Sequence, residues 1–247
     1  MTDHCPPLAV VIPALEEAER LPLLLADLAG APAGLIAERV VVDGGSRDGT
    51  RALATLAGAH CLQAERGRGM QLQRGINAST APWLLLLHAD ARLQPGWAAA
   101  VARAIANHVP GERRAWCFDL AVQGAGLRLR LLEWAVAWRT RTRQLPYGDQ
   151  GLLLPRTLLE ACGGVQPLAL MEDLDLVLRL RQIAQVSSLA VPLRVDGRRW
   201  RRHGVVRSAW QNAQLRRAWR EGCSGQELAQ RYYDGAGARA ARLAQPR

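Results

Sequence analysis

The stretch VVVDGGSRDGT, residues 40–50, decides how this chain is read. Valines that suit a buried strand run straight into Asp43, then into Gly44, Gly45, Ser46, Arg47, Asp48 and Gly49. A turn needs the two glycines. It does not need two carboxylates. The stretch therefore predicts a strand that ends on a ligand rather than on a plain reversal. The glycines let that ligand approach the backbone closely, and Asp43 is placed to accept hydrogen bonds from a base or a ribose. Ser46 is expected to cap a helix reaching about residue 57.

The same grammar repeats outward from this point. LAVVI (8–12) reads as a buried strand that exits into PALEE (13–17). A helix follows over 15–28, with Leu21, Leu24, Leu25 and Leu28 on one face. AHCLQ (59–63) reads as a third strand, 68–79 as a helix and WLLLLHAD (83–90) as a fourth strand. Pro95 sits near the first turn of a helix to about His108. Continuous apolar strands alternating with helices predict a mainly parallel, Rossmann-like α/β sheet covered on both faces.

Beyond residue 110 the pattern loosens. AWCFDLAV (115–122) and GLLLP (151–155) read as strands. Residues 126–142 and 172–184 read as helices, and a further helix is expected at about 205–220. Leu127, Leu131, Trp134 and Trp138 share one face of the first of these, which predicts a face packed on the core, with contact to a membrane or a partner subunit as the alternative for this helix and the arginine-rich tail. Two units are expected: a catalytic one over 1–195, divided near residue 110, and a helical extension over 196–247.

Composition narrows the partners. Of 247 residues 49% are apolar, enough for a sizeable core, yet no run nears the roughly 18–20 residues of a membrane span. The N-terminus has no basic segment before an apolar one, so a cytoplasmic protein is expected, with a peripheral membrane contact left open. Cysteines stand at 5, 61, 117, 162 and 223 without a CxxC pair, which argues against disulfides and zinc. The net charge is +10, and every cation is arginine. Residues 194–247 hold 13 arginines against 4 acids, so the basic character belongs to the tail. A nucleic-acid partner is not expected; the alternative, a non-catalytic basic protein that binds nucleic acid or a membrane, would explain the tail and leave the strand-end acids unexplained.

Ligands of open α/β sheets sit beyond the carboxyl ends of the strands. Here those ends read PALEE, DGGSRDG and HAD. Acids gathered at three strand ends repel unless a cation or a hydrogen-bonding ligand lies between them. A dinucleotide fingerprint is missing: PALEEA has no glycine, and GRGMQL (67–72) lacks the third one. A nucleotidyltransferase would want a Gly-rich basic loop after the first strand, which PALEEAERL is not.

These segments resemble the family 2 glycosyltransferases of the GT-A fold. VVIPALEEAERL is similar to that family's opening motif and VVDGGSRDGT to its nucleotide-binding motif with one extra glycine. LLLLHADARL is similar to its DxD-type metal motif, and ALMEDLDLVLRL to its acceptor-side ED motif. The likeness runs in order over about 8–202. Segments such as GRGMQL, LHAD, GDQG and RRW look closest to a bacterial subgroup associated with arsenosugar-type biosynthesis.

The resemblance implies transfer of a sugar from a nucleotide sugar to a small-molecule or lipid-linked acceptor, with inversion and with Mn or Mg as divalent metal. It implies nucleotide contacts from Pro13, Glu17, Asp43, Gly45, Ser46, Asp48, Arg68 and Ala89. It points to Asp90 as metal ligand, with His88 where the family has its first DxD acid. Asp173 is implied as base, with Glu172 beside it. Gly148, Asp149 and Gln150 are expected to line the acceptor pocket. Arg199 and Trp200 match the RW of a diphosphate-binding motif, although Asp196 replaces its glutamine.

Overall fold

The computed structural model describes residues 8–198, 200, 204–225 and 227–230. Strand β1 (Leu8–Ala14) is buried along its whole length. Its side chains alternate between two clusters, as a period of two demands. Leu8, Val10 and Ile12 face one cluster with α1 (Leu21–Ala29), α2 (Thr50–Leu56) and α4 (Trp97–Ala106). Ala9 and Val11 face the other, with α3 (Arg68–Asn77), α6 (Arg156–Ala161) and α7 (Glu172–Ile183). Both faces of the sheet are thus covered.

The sheet has eight strands in the order β3-β2-β1-β4-β7-β6-β8-β5. Strands β2 (Ile36–Asp43), β3 (His60–Gln63) and β4 (Trp83–Leu86) join β1 in a parallel block. The other half is mixed. Strand β7 (Leu152–Pro155) runs antiparallel to both β4 and β6 (Arg114–Val122), while β6 and β8 (Gln185–Val195) are parallel. The mainly parallel sheet expected from the sequence is thus confined to the nucleotide half.

Several boundaries differ from the expectation for local reasons. WLLLLHAD is strand only over Trp83–Leu86; the backbone then leaves the sheet, and β5 (Ala91–Leu93) pairs antiparallel with β8. The first helix begins at Leu21 rather than 15, because residues 15–20 form a loop in which Glu16 takes a left-handed conformation. Strand β8 is the longest of the eight, yet the sequence reading missed it. Its register with β6 shifts at Cys117/Asp119 near left-handed Ala190, which breaks the alternation a strand normally shows.

Helix α5 (Leu127–Arg143) corrects another expectation. It buries Leu129, Val136 and Thr140, and the two apolar residues of this set pack on Leu120, Val122 and Val195. Leu127, Leu131, Trp134 and Trp138 face outward instead. The inner face uses small and medium side chains that fit against β6 and β8, and the bulky face is left on the outside. The last described long helix, α8 (Val205–Arg220), packs Leu215 against Leu170 and Leu228. Four of the cysteines are free thiols, buried or partly so; Cys5 lies outside the described residues. Among the described residues no helix is long and apolar enough to cross a membrane.

Candidate active site

The two loops that leave β1 and β2 are latched together. Successive backbone N–H groups of the first loop donate to side chains of the second: Glu16 to Ser46 Oγ (2.9 Å), Glu17 to Thr50 Oγ1 (2.9 Å) and Ala18 to Asp48 Oδ2 (3.1 Å). Arg47 N–H returns a bond of 2.8 Å to Glu16 Oε1. Ser46 therefore does not cap α2, which starts at Thr50 behind Gly49 with no side-chain cap. Asp48 instead accepts from Thr50 N–H at 3.0 Å and from its hydroxyl.

Asp43 is fully buried, and its Oδ2 accepts from the N–H groups of Gly45 and Ser46, each at 3.0 Å. Its Oδ1 has no protein partner. Gly45 has φ +94°, which only glycine adopts without strain. Gly44 is needed for a different reason: a Cβ there would lie 3.2 Å from the Gln71 amide. Gln71 was missed by the sequence reading. Buried on α3, it donates to Ala14 O (2.8 Å) and Val42 O (2.7 Å), and so ties the ends of β1 and β2 to one helix. The glutamine of GRGMQL carried no signal that a core amide was needed.

A cavity of about 420 Å³ opens beyond these strand ends. The nucleotide half contributes Pro13, Glu17, Arg68, Ala89 and Asp90 to it. The acceptor half contributes Asp149 and Asp173, while Trp200, Asn212 and Arg216 enter from the C-terminal side. Gly45, Ser46 and Asp48 do not reach the cavity wall, and neither does Asp43. Glu17 is held among arginines: Arg20 lies 3.3 Å from one of its oxygens and Arg198 3.3 Å from the other. Arg20 also binds Asp196 at 2.8 Å. Burial raises the Glu17 pKa, and Asp90 nearby raises it further against the pull of Arg198 and Arg20.

On the acceptor side, Asp173 Oδ2 accepts from Gly148 N–H at 2.7 Å and its Oδ1 accepts from Leu174 N–H at 2.8 Å. Gly148 is tightly enclosed: a Cβ there would sit 2.6 Å from His88 Nε2. Burial, with Arg68 adding to it, pushes the His88 pKa down to about 3, so its imidazole is neutral. Burial lifts Asp149 to about 6, opposed by Arg139 and reinforced by Asp173 and Asp90. Its Oδ1 has no protein partner.

Glu172 and Gln150 do not sit where an open pocket would need them. Glu172 is buried against a small apolar hollow bounded by Leu72, Leu87, Leu176 and Val177. Neither of its oxygens has a partner, and burial raises its pKa to about 8, with Asp173 adding to the shift. It carries a proton at neutral pH. Gln150, expected at the acceptor pocket, is fully buried. Its amide bonds to Arg139, Thr140, Tyr147 N–H and Phe118 O, so it braces the 148–150 turn from behind. Arg199 lies outside the described residues.

Two further groups escaped the sequence reading. Tyr147 carries Arg139 3.7 Å and Arg216 5.2 Å from its ring centroid. Arg216 comes from α8, so the C-terminal extension helps to build the cavity. No periodicity of α8 could have signalled this.

Among the described residues no group of three or more His, Cys, Asp and Glu side chains could hold a metal ion. His88, Ala89 and Asp90 of the HAD segment all line the cavity, and Asp90 is the one carboxylate among them. A cation there would have to draw its remaining oxygens from a bound diphosphate and water, which is how magnesium commonly sits.

A mixed, eight-stranded α/β sheet with helices on both faces and acids at the strand exits defines a GT-A-like fold. Residues 9–114 match the family model described as Glycosyl transferase family 2. The chain is 34% identical over 149 residues to an uncharacterized glycosyltransferase of Mycobacterium tuberculosis (strain ATCC 25618 / H37Rv), over 57% of this chain. It spans 62% of that relative's length, and an equivalent protein of Mycobacterium bovis matches to the same extent. The likeness to family 2 read from the motifs is thus met by the family model over residues 9–114, and the curated relatives are glycosyltransferases by name.

Among solved structures, glucosyl-3-phosphoglycerate synthase of M. tuberculosis, in complex with Mn2+, uridine diphosphate and phosphoglyceric acid, superposes with a TM-score of 0.54 at 19% identity. That match covers 74% of this chain and 69% of the other. TarS of S. aureus gives a TM-score of 0.59 at 16% identity, covering 76% of this chain and 36% of its own. At these identities the likeness speaks to fold.

Proposed function

We propose that this chain is a glycosyltransferase that moves a sugar from a nucleotide sugar to a hydroxyl-bearing acceptor, with inversion. One observation carries the reading: Glu17, Arg68, Asp90, Asp149 and Asp173, drawn from five separate segments, converge on one cavity beyond the strand ends. The family match and the folds of the structural neighbours support it. The catalytic unit runs to about residue 195, and the extension from 196 closes the cavity.

In this reading the nucleoside lies over Pro13 and Ala89, with Glu17 as an acceptor at the cavity wall and buried Asp43 shaping the nucleotide loop behind it through the N–H groups of Gly45 and Ser46. Gly45 opens the approach, and Ser46 and Asp48 hold the loop in shape. Arg68, at the first turn of α3, faces the diphosphate, where both its charge and the helix N-terminus favour an anion. Arg199 and Trp200 serve the same group. A divalent cation, Mn or Mg, would be held by Asp90 and phosphate oxygens and would stabilise charge on the leaving group. The neighbour's complex with Mn2+ and uridine diphosphate supports that choice.

Asp173 acts as general base. It takes the acceptor hydroxyl proton as that oxygen attacks the anomeric carbon and the bond to the diphosphate breaks. Its two backbone hydrogen bonds fix the carboxylate while leaving lone pairs free for the proton. Protonated Glu172 backs it without adding a second charge. Asp149 and Gly148 border the acceptor, which is a small molecule or lipid-linked. The subgroup suggested by GRGMQL, LHAD, GDQG and RRW bears on the acceptor and stands as a resemblance.

Calorimetric titration with UDP, GDP, ADP and CMP, with and without manganese, tests the reading on wild type and Asp90→Ala. Metal-enhanced binding of one nucleotide, lost in Asp90→Ala, is the expected result. Folded wild type that binds none of the four overturns it.

A further inference from the structure

We propose that the outward face of α5 is a docking surface for an anionic lipid bilayer. This helix has two apolar faces on opposite sides. At about 100° per residue, Leu127, Leu131, Trp134 and Trp138 fall within an arc of about 60°. Leu129, Val136 and Thr140 fall on the far side and are buried against the sheet. The outward residues are 75%, 57%, 68% and 50% exposed, respectively. Four large side chains in one stripe of one helix are a patch, not scattered surface residues.

Charge and residue type decide what covers it. Exposed Arg128, Arg130, Arg141 and Arg143 flank the stripe, and the Arg143 guanidinium lies 5.6 Å from the Trp138 ring centroid. Helix α8, which touches α5, exposes Trp210, Arg207, Arg217 and Arg220, of which Arg217 pairs with Glu221 just past the helix. Tryptophan and leucine between arginines suit the boundary of a bilayer: the rings enter the headgroup region and the guanidiniums meet phosphates.

A second copy of the chain is a poorer occupant. A two-fold contact sets a patch against itself, and α5 exposes four arginines, Arg128, Arg130, Arg141 and Arg143, against a single Glu133. The chain's own C-terminal stretch 231–247 holds four arginines against one acid, so it too would be repelled. The inference does not depend on the chemistry of the cavity.

The test is co-sedimentation of the full chain with vesicles of phosphatidylcholine, and of phosphatidylcholine mixed equally with phosphatidylglycerol. Wild type is expected to bind the anionic vesicles about tenfold more strongly than the neutral ones. Trp134→Ser with Trp138→Ser is expected to weaken that binding by about tenfold. Its circular dichroism and thermal midpoint should match wild type, since both rings lie outside the core. Arg128→Gln with Arg143→Gln should weaken it too, and should blunt its dependence on salt. Failure of wild type to sediment with anionic vesicles overturns the proposal, as does full binding by the tryptophan variant. A dimer that the tryptophan substitutions dissociate would hand the face to a second copy. Nucleic-acid binding lost in the same variant would hand it to that partner instead.

Discussion

The Asp173 carboxylate accepts a 2.7 Å hydrogen bond from the backbone N–H of Gly148, 25 residues earlier in the chain. This bond joins the start of α7 to the 148–150 turn, and with it the two segments that border the acceptor side of the cavity. Gly148 is pressed against His88, the first residue of the HAD segment. The carboxylate thus joins two segments, and Gly148 brings the third against them.

Asp173→Asn should separate chemistry from binding. An amide can accept one of the two N–H groups that Asp173 now serves, and its NH2 must then face the other donor. Loss of the base should lower turnover by about 10²–10⁴-fold, while nucleotide affinity measured by calorimetry stays close to wild type. Turnover unchanged in steady-state transfer assays would remove Asp173 from the role of base.

Glu172 makes stability depend on pH with a definite sign. Its pKa rises from an ordinary 4.5 to about 8 on folding. The folded state thus holds the proton more tightly than the unfolded one. The stability linked to that proton is complete below about pH 4.5 and is lost as pH rises through about 8. Glu172→Gln, which imitates the protonated acid, should keep its thermal midpoint on the alkaline side. Any slope left from Asp149, lifted to about 6, should lie at lower pH. A variant whose midpoint falls with alkali as steeply as wild type contradicts this assignment.

Thr50 holds the latch between the two nucleotide-side loops. Thr50→Val keeps the shape but leaves the Glu17 N–H without its acceptor and Asp48 without the hydroxyl. A loss of about 1–3 kcal/mol in urea denaturation is expected. Nucleotide binding should weaken as well, because Glu17 would no longer be held at the cavity wall. An unchanged denaturation midpoint would show that the latch adds nothing to stability.

Much of the nucleotide half was legible because its signals are local. Buried β-branched runs mark β1 and β2, strand ends mark where ligands gather, and glycine marks Gly45, where φ is positive. Arg68 could be singled out because it stands at the start of a helix, and Asp90 because it ends the apolar run WLLLLHAD, although the strand itself stops at Leu86. The acceptor half was less legible. Asp149 and Gln150 are neighbours in the sequence, yet one borders the cavity and the other is sealed behind it. Adjacent residues on a tight turn point in different directions, and composition does not say which way.

Sequence by itself determined that α5 has a face bearing Leu127, Leu131, Trp134 and Trp138, since 3.6-residue periodicity follows from helix geometry alone. Only the tertiary structure decided that this face looks outward. Periodicity reports that a face exists, whereas burial depends on the volume left by β6 and β8, which Leu129 and Val136 fill. The same holds for Gln71 between the ends of β1 and β2, for Arg216 over Tyr147, and for Asp173 on Gly148. Each contact joins residues distant in the chain, and its geometry appears only when the sheet brings them together.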